Sequence, residues 1–392
     1  MARAAGKVPA SSAESMKRET LAPRPNWPAE VEKLGLLYHT PKGKPYWDES
    51  ACYRFTSAEI DSLEAATEEL QQLCLKAGQF IIDNNRFADL HIPPAAVPVI
   101  QAAWEQEPPS IYGRFDLAYD GHNPPKLLEY NAQTPTALVE ASIVQWYWRQ
   151  EVRPATDQFN SIHEKLLAKW GELRKYLKGD VLYFAHVDDT EDMMTVSYLR
   201  DTAEQSRIRT TALLMPEIGW NEPARSFRDR EDRPICSMFV LYPWEWLLGE
   251  FGAAVLQTYE QVDWMEPIWK MMWSNKGLLA ILWEMFPGHP NLLEAHLQHP
   301  GALRSYVRKP LLSREGANIT IHDGGTVIET GGEYGEEGYV YQALAPIPCF
   351  DGNYPVLGSW YITDQGPAGI GIRESKTLIT DNLSRFVPHY FD

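Results

Sequence analysis

Residues 113–137 read GRFDLAYDGHNPPKLLEYNAQTPTA, and this stretch predicts a β-hairpin. Residues 112–119 alternate in polarity as a strand does, DGHNPP supplies the turn, and residues 126–131 form the return strand. Antiparallel pairing sets side chains that are distant in sequence opposite one another. Polar side chains from the two strands are therefore expected to meet on one face of a sheet.

The two predicted strands carry polar side chains at a spacing of two residues. Arg114 and Asp116 share one face of the first strand, and Glu129 and Asn131 share one face of the second. Two carboxylates and an amide oxygen form a hard, all-oxygen set, which suits Mg²⁺ that keeps water ligands and also binds phosphates. The hairpin therefore predicts a magnesium site at Asp116, Glu129 and Asn131. The alternative is a solvated hairpin face with ordinary surface acids.

Two lysines and a loop are candidates for binding phosphate. Lys309 falls on the same strand face as Val307, which predicts an inward-facing ammonium group. The loop LLSREGAN that follows, residues 311–318, has Gly316 where backbone N–H groups could fold over a phosphate chain. Lys276 lies near a predicted helix start, where the helix dipole opposes a cation and a ligand would offset that cost. For either lysine the alternative is a surface or ion-paired side chain.

The stretch GPAGIGIRESKT, residues 366–377, predicts a glycine-rich turn followed by a strand that carries Arg373. Its glycines do not form a dinucleotide-binding fingerprint, because no strand–helix–strand unit follows them. A guanidinium group there could neutralise charge on a transferring phosphoryl group or on a carboxylate. A structural ion pair with an acid on a neighbouring strand is the alternative.

The rest of the chain predicts an α/β (α+β) protein. Apolar residues at helical spacing predict a long amphipathic helix at 57–83, where Thr56 and Glu59 have the form of a capping box. Alternating strand and helix patterns predict a small parallel α/β subdomain at about 178–255. Residues 1–25 are rich in Ala, Ser, Pro and charge, and are expected to be a disordered tail.

Composition limits the class of partner. The formal net charge of −17 argues against a nucleic-acid partner, because phosphate-binding surfaces are basic, and it suits a cationic small molecule.

No apolar run approaches the roughly 18 residues of a membrane span, and no secretory segment is visible, so a cytoplasmic protein with no membrane partner is expected. The ten histidines lack an HExxH pattern, which argues against a zinc hydrolase.

Seven strings in this order resemble the synthetase domain of the glutathionylspermidine synthase family: RFDLAYDG, LLEYNAQTPT, YPWEW, SNKGLLAILWEMFPGHPNLL, VRKPLLSREGANI, VYQAL and GIGIRES. The resemblance covers nearly the whole chain and implies one such domain at 26–392. It implies the circularly permuted ATP-grasp fold shared with glutathione synthetases. It also implies ATP-dependent amide formation through an acyl-phosphate, which an amine then attacks.

The resemblance implies a role for each candidate residue. Asp116, Glu129 and Asn131 would hold Mg²⁺ ions that bridge the phosphates of ATP. Arg114 would steady the transferred phosphoryl group, and Arg373 would stabilise charge on the acyl-phosphate. The residues implied to bind the nucleotide, at its phosphates or at the adenine hinge, are Lys276, Lys309, Gly316, Gln342, Ala343 and Leu344. The residues implied to contact the acid and the amine are Thr134, Thr136, Glu191 and Asp192.

The implied partners are a small-molecule carboxylate, such as a peptide, and an amine, and the resemblance leaves both identities and the oligomeric state open. Bifunctional members also carry an N-terminal amidase domain, for which the tail has no room, so a stand-alone synthetase is expected. An ATP- and Mg²⁺-dependent acid–amine ligase is the leading hypothesis. The alternatives are a nucleotide-binding regulatory protein that has lost catalysis and a phosphotransferase that uses the same residues.

Overall fold

A computed structural model describes residues 15–381 and 384–392 as a mixed α/β protein, which confirms the predicted class. Within these ranges the helices α1 to α8 are Trp27–Lys33, Ser57–Asp83, Val97–Gln106, Gln145–Val152, Ile162–Leu173, Thr190–Gln205, Trp244–Gln257 and Leu278–Met285. The strands β1 to β19 are Lys17–Thr20, Ala51–Phe55, Tyr112–Ala118, Lys126–Asn131, Leu182–His186, Thr210–Leu214, Gly219–Asn221, Ser226–Arg228, Ser237–Leu241, Asp263–Met265, Ala295–Leu297, Tyr306–Pro310, Thr320–Asp323, Thr326–Glu329, Tyr339–Ala343, Tyr354–Ile362, Gly366–Ser375, Arg385–Val387 and His389–Phe391.

The predicted hairpin consists of β3 and β4, which form one edge of a five-stranded antiparallel sheet with the order β18-β17-β16-β3-β4. Its register pairs Asp116 with Glu129 and Arg114 with Asn131, as the spacing predicts. Strand β17 of the same sheet carries Arg373. One sheet therefore holds both candidate arginines and the predicted metal ligands.

A second five-stranded antiparallel sheet, with the order β11-β15-β12-β13-β14, carries predicted nucleotide-binding residues. Lys309 lies on β12, and its Nζ donates to the backbone carbonyl of Leu128 on β4 at 2.8 Å. Gln342 lies on β15, and its Nε2 donates to the carbonyl of Leu127 at 2.9 Å. These bonds join the second sheet to the hairpin, so the lysine and the hairpin carboxylates border one cavity.

The predicted parallel subdomain contains a four-stranded sheet with the order β10-β9-β5-β6, in which every pairing is parallel. Its strand β10, Asp263–Met265, lies beyond the predicted boundary at about residue 255. Every residue of β5, β9 and β10 is buried, as expected for strands that are covered on both faces. Helix α6 follows β5 and begins at the carboxyl end of this sheet, where polar sites tend to form.

The long helix predicted at 57–83 is α2, with the same bounds. Its predicted capping box is present, since the Thr56 hydroxyl accepts from the Glu59 N–H at 3.3 Å and Glu59 Oε2 accepts from the Thr56 N–H at 2.8 Å. The helix packs its apolar side against β16 and β17. Within the described ranges no helix, α2 included, has both the length and the apolar character needed to cross a membrane.

The expectation of a disordered tail at 1–25 is wrong for residues 17–20, which form β1. This strand pairs antiparallel with β2, and β2 also pairs in parallel with β19. Arg18 donates to both carboxylate oxygens of buried Glu374 at 2.8 Å. Strand pairing and a buried ion pair therefore hold residues 17–20 in place. Neither interaction can be predicted from composition alone. Residues 1–14 lie outside the described residues.

The turn predicted at the glycines of GPAGIGIRESKT is also wrong, because residues 366–375 form one continuous strand, β17. A Cβ atom at Gly371 would lie 2.8 Å from the ring of Phe386, and one at Gly369 would lie 2.8 Å from the carbonyl oxygen of Phe159. Glycine here serves close packing against the strand and not a change of direction.

Candidate active site

A cleft forms where the hairpin, the loop 311–318 and the start of α6 meet. Its main cavity has a volume of about 320 Å³, and a second cavity of about 120 Å³ adjoins it. Every site residue predicted from the sequence lines at least one of the two cavities. The apolar side chains that line the smaller cavity are Leu128, Val307, Ile319, Ile321, Ala343, Leu344, Ala345, Ile347, Val356, Leu378 and Ile379.

The predicted metal ligands Asp116, Glu129 and Asn131 form one group of side chains, here called the oxygen cluster. Asn131 Nδ2 donates to Asp116 Oδ2 at 3.0 Å and to Glu129 Oε1 at 3.3 Å. The described residues contain no group of three or more His, Cys, Asp or Glu side chains placed to hold a metal. Mg²⁺ at the oxygen cluster would therefore take its remaining ligands from water or phosphate, which suits that ion. The metal role of the cluster stays a prediction.

Cations surround the oxygen cluster. Arg114 donates to the two carboxylate oxygens of Asp116 at 2.7 and 3.1 Å, and Lys276 Nζ lies 3.0 Å from Glu129 Oε2. Burial by itself would raise the pKa of Glu129, but Lys276, Lys309 and Arg114 outweigh it and lower the pKa to about 2. For Asp116, burial prevails over Arg114 and the pKa is raised. Of the two carboxylates in the oxygen cluster, Glu129 is therefore the one that remains ionised to the lower pH.

Lys309 is held by two acceptors at the junction of the sheets. Its Nζ donates to Leu128 O and to Gln342 Oε1, each at 2.8 Å, and the residue is only 8% exposed. Burial lowers the pKa of Lys309 to about 8, although Glu129 opposes that change. The inward orientation predicted for this lysine is confirmed, and Gln342 orients its ammonium group.

The predicted adenine hinge, Gln342 to Leu344, lines the smaller cavity. The N–H of Ala343 donates to Glu294 O at 2.7 Å, and the N–H of Leu344 donates to Ser305 O at 3.1 Å. Both amides are therefore engaged within the protein. These two N–H groups are therefore not available to bind the edge of a base. If backbone groups bind the adenine, as predicted, they are other groups of this cavity.

The loop 311–318 covers the junction of the two cavities. Gly316 has φ +72°, and a Cβ atom there would lie 2.6 Å from Thr380 O, so glycine is required both by conformation and by space. Lys276 Nζ donates to the carbonyl of Ser313 in this loop. That bond fixes the loop to the lysine whose ammonium group also pairs with Glu129.

Arg373 and Arg114 line a small cavity of about 30 Å³ between them, which adjoins the main one. Arg373 donates through Nη2 to the backbone carbonyl of Asp381, and its guanidinium carbon lies 5.8 Å from the centroid of the Tyr46 ring. Arg114 also donates to Thr136 O at 2.7 Å, so one predicted substrate residue fixes the arginine through its backbone. Both guanidinium groups therefore line this end of the cleft, and Asp116 offsets the charge of Arg114.

Arg314 was not predicted as a site residue, and it lies in the same cleft. Its guanidinium group donates to Thr134 Oγ1 at 2.7 Å and to Glu245 Oε1 at 2.9 Å, and it packs over the ring of Trp246. Through Thr134 it connects the loop 311–318 to the chain that leaves the hairpin. The signal that could have identified it is its position in VRKPLLSREGANI, one of the strings that carry the family resemblance.

The main cavity is also lined by an acidic wall, which consists of Asp189, Glu191, Asp192 and Glu315. Asp189 caps helix α6 and accepts from the Glu191 N–H at 2.8 Å and the Asp192 N–H at 3.3 Å. Burial and then the neighbouring Asp189, Glu191 and Glu315 raise the pKa of Asp192 to about 7. Asp189 and Glu315 were not predicted, because isolated acids in loops show no periodic pattern.

Comparisons with known proteins identify the family of this chain. Residues 18–392 match the family described as glutathionylspermidine synthase preATP-grasp. A Haemophilus influenzae protein named as a candidate acid–amine ligase is 39% identical over 395 residues, which cover 96% of this chain and 100% of that protein. Trypanothione synthetase of Crithidia fasciculata is 29% identical over 341 residues, 79% of this chain and 51% of that protein, so the chain spans about half of that relative.

The solved apo structure of a glutathione synthetase-like effector from Globodera pallida shares the fold, with a TM-score of 0.56 at 10% identity over 95% of this chain and 100% of that one. The predicted glutathione synthetase-like fold is supported by this likeness, and its circular permutation stays a prediction. The family match extends over nearly all of the described residues. This chain belongs to the glutathionylspermidine synthase family.

Proposed function

We propose that this protein is an ATP- and Mg²⁺-dependent ligase that joins a carboxylic acid to an amine through an amide bond. The observation that carries the proposal is one cleft with three parts: an apolar cavity beside two lysines, a pair of arginines, and the acidic wall. These parts suit a nucleotide, an activated carboxylate and a cationic amine. The names of the two relatives, an acid–amine ligase and a trypanothione synthetase, agree with that chemistry.

In the proposed reaction the nucleotide spans both cavities. The apolar cavity would hold the adenine, Lys309 and Lys276 would bind the phosphates, and the loop 311–318 would cover them with backbone amides. Mg²⁺ at the oxygen cluster would reduce the repulsion between the phosphates and an incoming carboxylate. Gln342 would hold the Lys309 ammonium group in place as the phosphates arrive.

The acid substrate would place its carboxylate between Arg114 and Arg373. One carboxylate oxygen attacks the γ-phosphorus of ATP, which forms an acyl-phosphate and releases ADP. The amine, after its ammonium form has lost a proton to water, attacks the acyl carbon. The C–O bond to phosphate then breaks, and the nitrogen gives its second proton to the departing phosphate as the amide forms. The two guanidinium groups would stabilise negative charge as it develops on the phosphoryl and acyl oxygens. The acidic wall would attract the cationic amine into the same cavity.

The proposal is tested by measuring ADP release from ATP and Mg²⁺ with small peptides, including glutathione, crossed with polyamines and amino acids. Mass spectrometry identifies the products. ADP release that requires both an acid and an amine, together with the condensed mass, supports the ligase. A phosphorylated product without an amide would identify a phosphotransferase, and ATP binding without turnover across the panel would favour a regulatory protein.

The affinity for ATP is expected to depend on the charge of Lys309. Because the pKa of this lysine is about 8, its ammonium group is mostly charged at neutral pH and mostly neutral above pH 9. A neutral amine does not attract phosphates, so binding should weaken as pH rises through 8, by up to about tenfold per pH unit. Calorimetric titration of Mg·ATP between pH 7 and 9.5 measures this. Lys309→Met should bind more weakly with a flatter profile, and a flat wild-type profile would contradict the prediction.

A further inference from the structure

Tyr38 lines the main cavity, although nothing in the sequence predicted it as a site residue. It lies in the segment 34–47, between helix α1 and strand β2. Every other described residue that lines this cavity comes from Arg114 or later in the chain. The segment 34–47 therefore brings a side chain from a distant part of the sequence to the cavity in which the reaction is proposed.

The backbone of the segment 34–47 is fixed to strand β18. The carbonyl oxygen of His39 accepts from the N–H groups of Tyr46 and Trp47, at 2.9 and 3.2 Å, so the segment folds back on itself. The carbonyl oxygen of Tyr46 accepts from the N–H of Phe386 on β18 at 2.7 Å. Trp47 is fully buried and stacks on the ring of Phe386, with the ring centroids 5.6 Å apart. These contacts give the side chains of the segment defined positions.

The ring of Tyr46 contacts both Tyr38 and Arg373. The ring centroids of Tyr38 and Tyr46 are 5.3 Å apart in an edge-to-face arrangement. The guanidinium carbon of Arg373 lies 5.8 Å from the centroid of the Tyr46 ring, within the range of a cation–π contact. Because Tyr46 is only 1% exposed, it supports both of the other side chains from within the protein. Tyr38 is therefore close to the arginine that is proposed to act on the acyl-phosphate.

The residue before Tyr38 attaches the segment 34–47 to helix α6. The N–H of Leu37 donates to the sulfur atom of Met194 at 3.0 Å. Met194 lies near the start of α6, and the acidic wall residues Asp189 and Glu191 lie at that same start. Tyr38 is thus held next to the acidic wall as well as next to the arginine.

The electrostatic surroundings of Tyr38 agree with this position. Burial and then the nearby Glu191 and Asp189 raise the pKa of Tyr38, whereas Arg373 lowers it. The phenol is therefore protonated at neutral pH, and its hydroxyl group is within electrostatic reach of both the acidic wall and the guanidinium group. In the proposed reaction an amine drawn to the acidic wall must meet an acyl carbon held by the arginines.

We propose that Tyr38 binds the amine substrate and orients its nitrogen, with the hydroxyl oxygen accepting a hydrogen bond from an N–H of the amine. The inference rests on the proposed function, because that function brings an amine to this cavity. A hydroxyl oxygen can accept from the amine in its charged form and in its neutral form, so the contact persists after the amine has lost its proton to water. It also leaves the nitrogen lone pair free to attack the acyl carbon.

The first test is Tyr38→Phe, which removes the hydroxyl group and keeps the ring against Tyr46. Turnover is measured with the acid and the amine that give the highest rate in the substrate panel. The kcat/KM for the amine should fall about tenfold to a hundredfold, the effect of losing one hydrogen bond to a charged group. The KM values for ATP and for the acid should stay the same, as should Tm.

Tyr176→Phe is the matched control, because Tyr176 is 71% exposed and lines neither cavity. It should behave as the wild type in every measurement. An unchanged kcat/KM for the amine in Tyr38→Phe would overturn the inference. A rise in KM for all three substrates together with a lower Tm would also overturn it, because the hydroxyl group would then have a structural role.

A second measurement does not require turnover. In protein labelled with ¹³C in the tyrosine rings, the resonances of Tyr38 are those lost in Tyr38→Phe. They should shift and saturate as the amine is titrated, and KCl at equal ionic strength should not shift them. If the wild type makes no amide with any substrate pair, the proposed function fails, and the titration is made with 1,4-diaminobutane, a dication that the acidic wall should attract. Tyr38 resonances that do not respond would overturn the inference in either case.

Discussion

Glu129→Gln is expected to reduce Mg²⁺-dependent turnover by about a hundredfold to a thousandfold, the usual effect of removing one preorganised electrostatic group from a reaction site. Glu129 pairs with Lys276, supports the charge on Lys309 and belongs to the oxygen cluster, so a neutral amide loses all three effects. The fold should persist, because Lys276 also donates to Ser313 O and Lys309 donates to Leu128 O and Gln342 Oε1.

The measurement for Glu129→Gln is ADP release and amide formation as the Mg²⁺ concentration is raised, together with Tm. Glu284→Gln is the matched control, because Glu284 pairs with Arg86 on the surface and has no contact with the cleft. It should behave as the wild type. Full turnover by Glu129→Gln at saturating Mg²⁺ would remove the metal role from the oxygen cluster.

Arg373→Ala is expected to lower kcat by about a hundredfold or more while the Kd for ATP changes only a few-fold. The reason is the position of the side chain. Arg373 lines the main cavity and the small cavity beside Arg114, but it does not line the apolar cavity proposed for the adenine. Its positive charge should therefore act on the reacting groups and contribute little to holding the nucleotide.

Single-turnover kinetics and calorimetry with Mg·ATP separate these two effects for Arg373→Ala. Arg308→Ala serves as the control, since Arg308 packs on Tyr339 and donates to Thr320 Oγ1 on the second sheet. We expect that control to keep both kcat and ATP affinity. If Arg373→Ala instead lost ATP binding with an unchanged kcat, the residue would belong to the nucleotide site.

Local patterns predicted the parts of the fold that local chemistry determines. The hairpin follows from alternation and a turn, and α2 follows from apolar periodicity and the capping box of Thr56 and Glu59. Strand β1 was missed because it depends on pairing with β2 and on Arg18 reaching Glu374, a partner 356 positions away. The glycines of β17 were misread because close packing outweighs their preference for turns.

The site residues also fall into two groups, those that local sequence patterns predict and those that depend on long-range contacts. A spacing of two residues was enough to place Asp116 opposite Glu129, because both lie on one hairpin. The family resemblance supplied Gln342, whose contact with Lys309 depends on the second sheet and has no signal in either strand alone. Arg314 was missed because a single charged residue in a loop shows no periodicity, and its contacts with Thr134 and Glu245 place it in the cleft.

Strand β2 pairs with both β1 and β19, and this affects the order in which the protein folds during synthesis. Its two neighbours come from opposite parts of the chain, since β1 is Lys17–Thr20 and β19 is His389–Phe391. Helix α2 and the hairpin use short-range contacts and can form while the ribosome is still translating, whereas long-range strand pairing forms late. A nascent chain that stops before residue 389 therefore leaves one edge of β2 without its partner. This sheet can close only after residues 389–391 have left the ribosome, and until then the open edge is a surface that chaperones can protect.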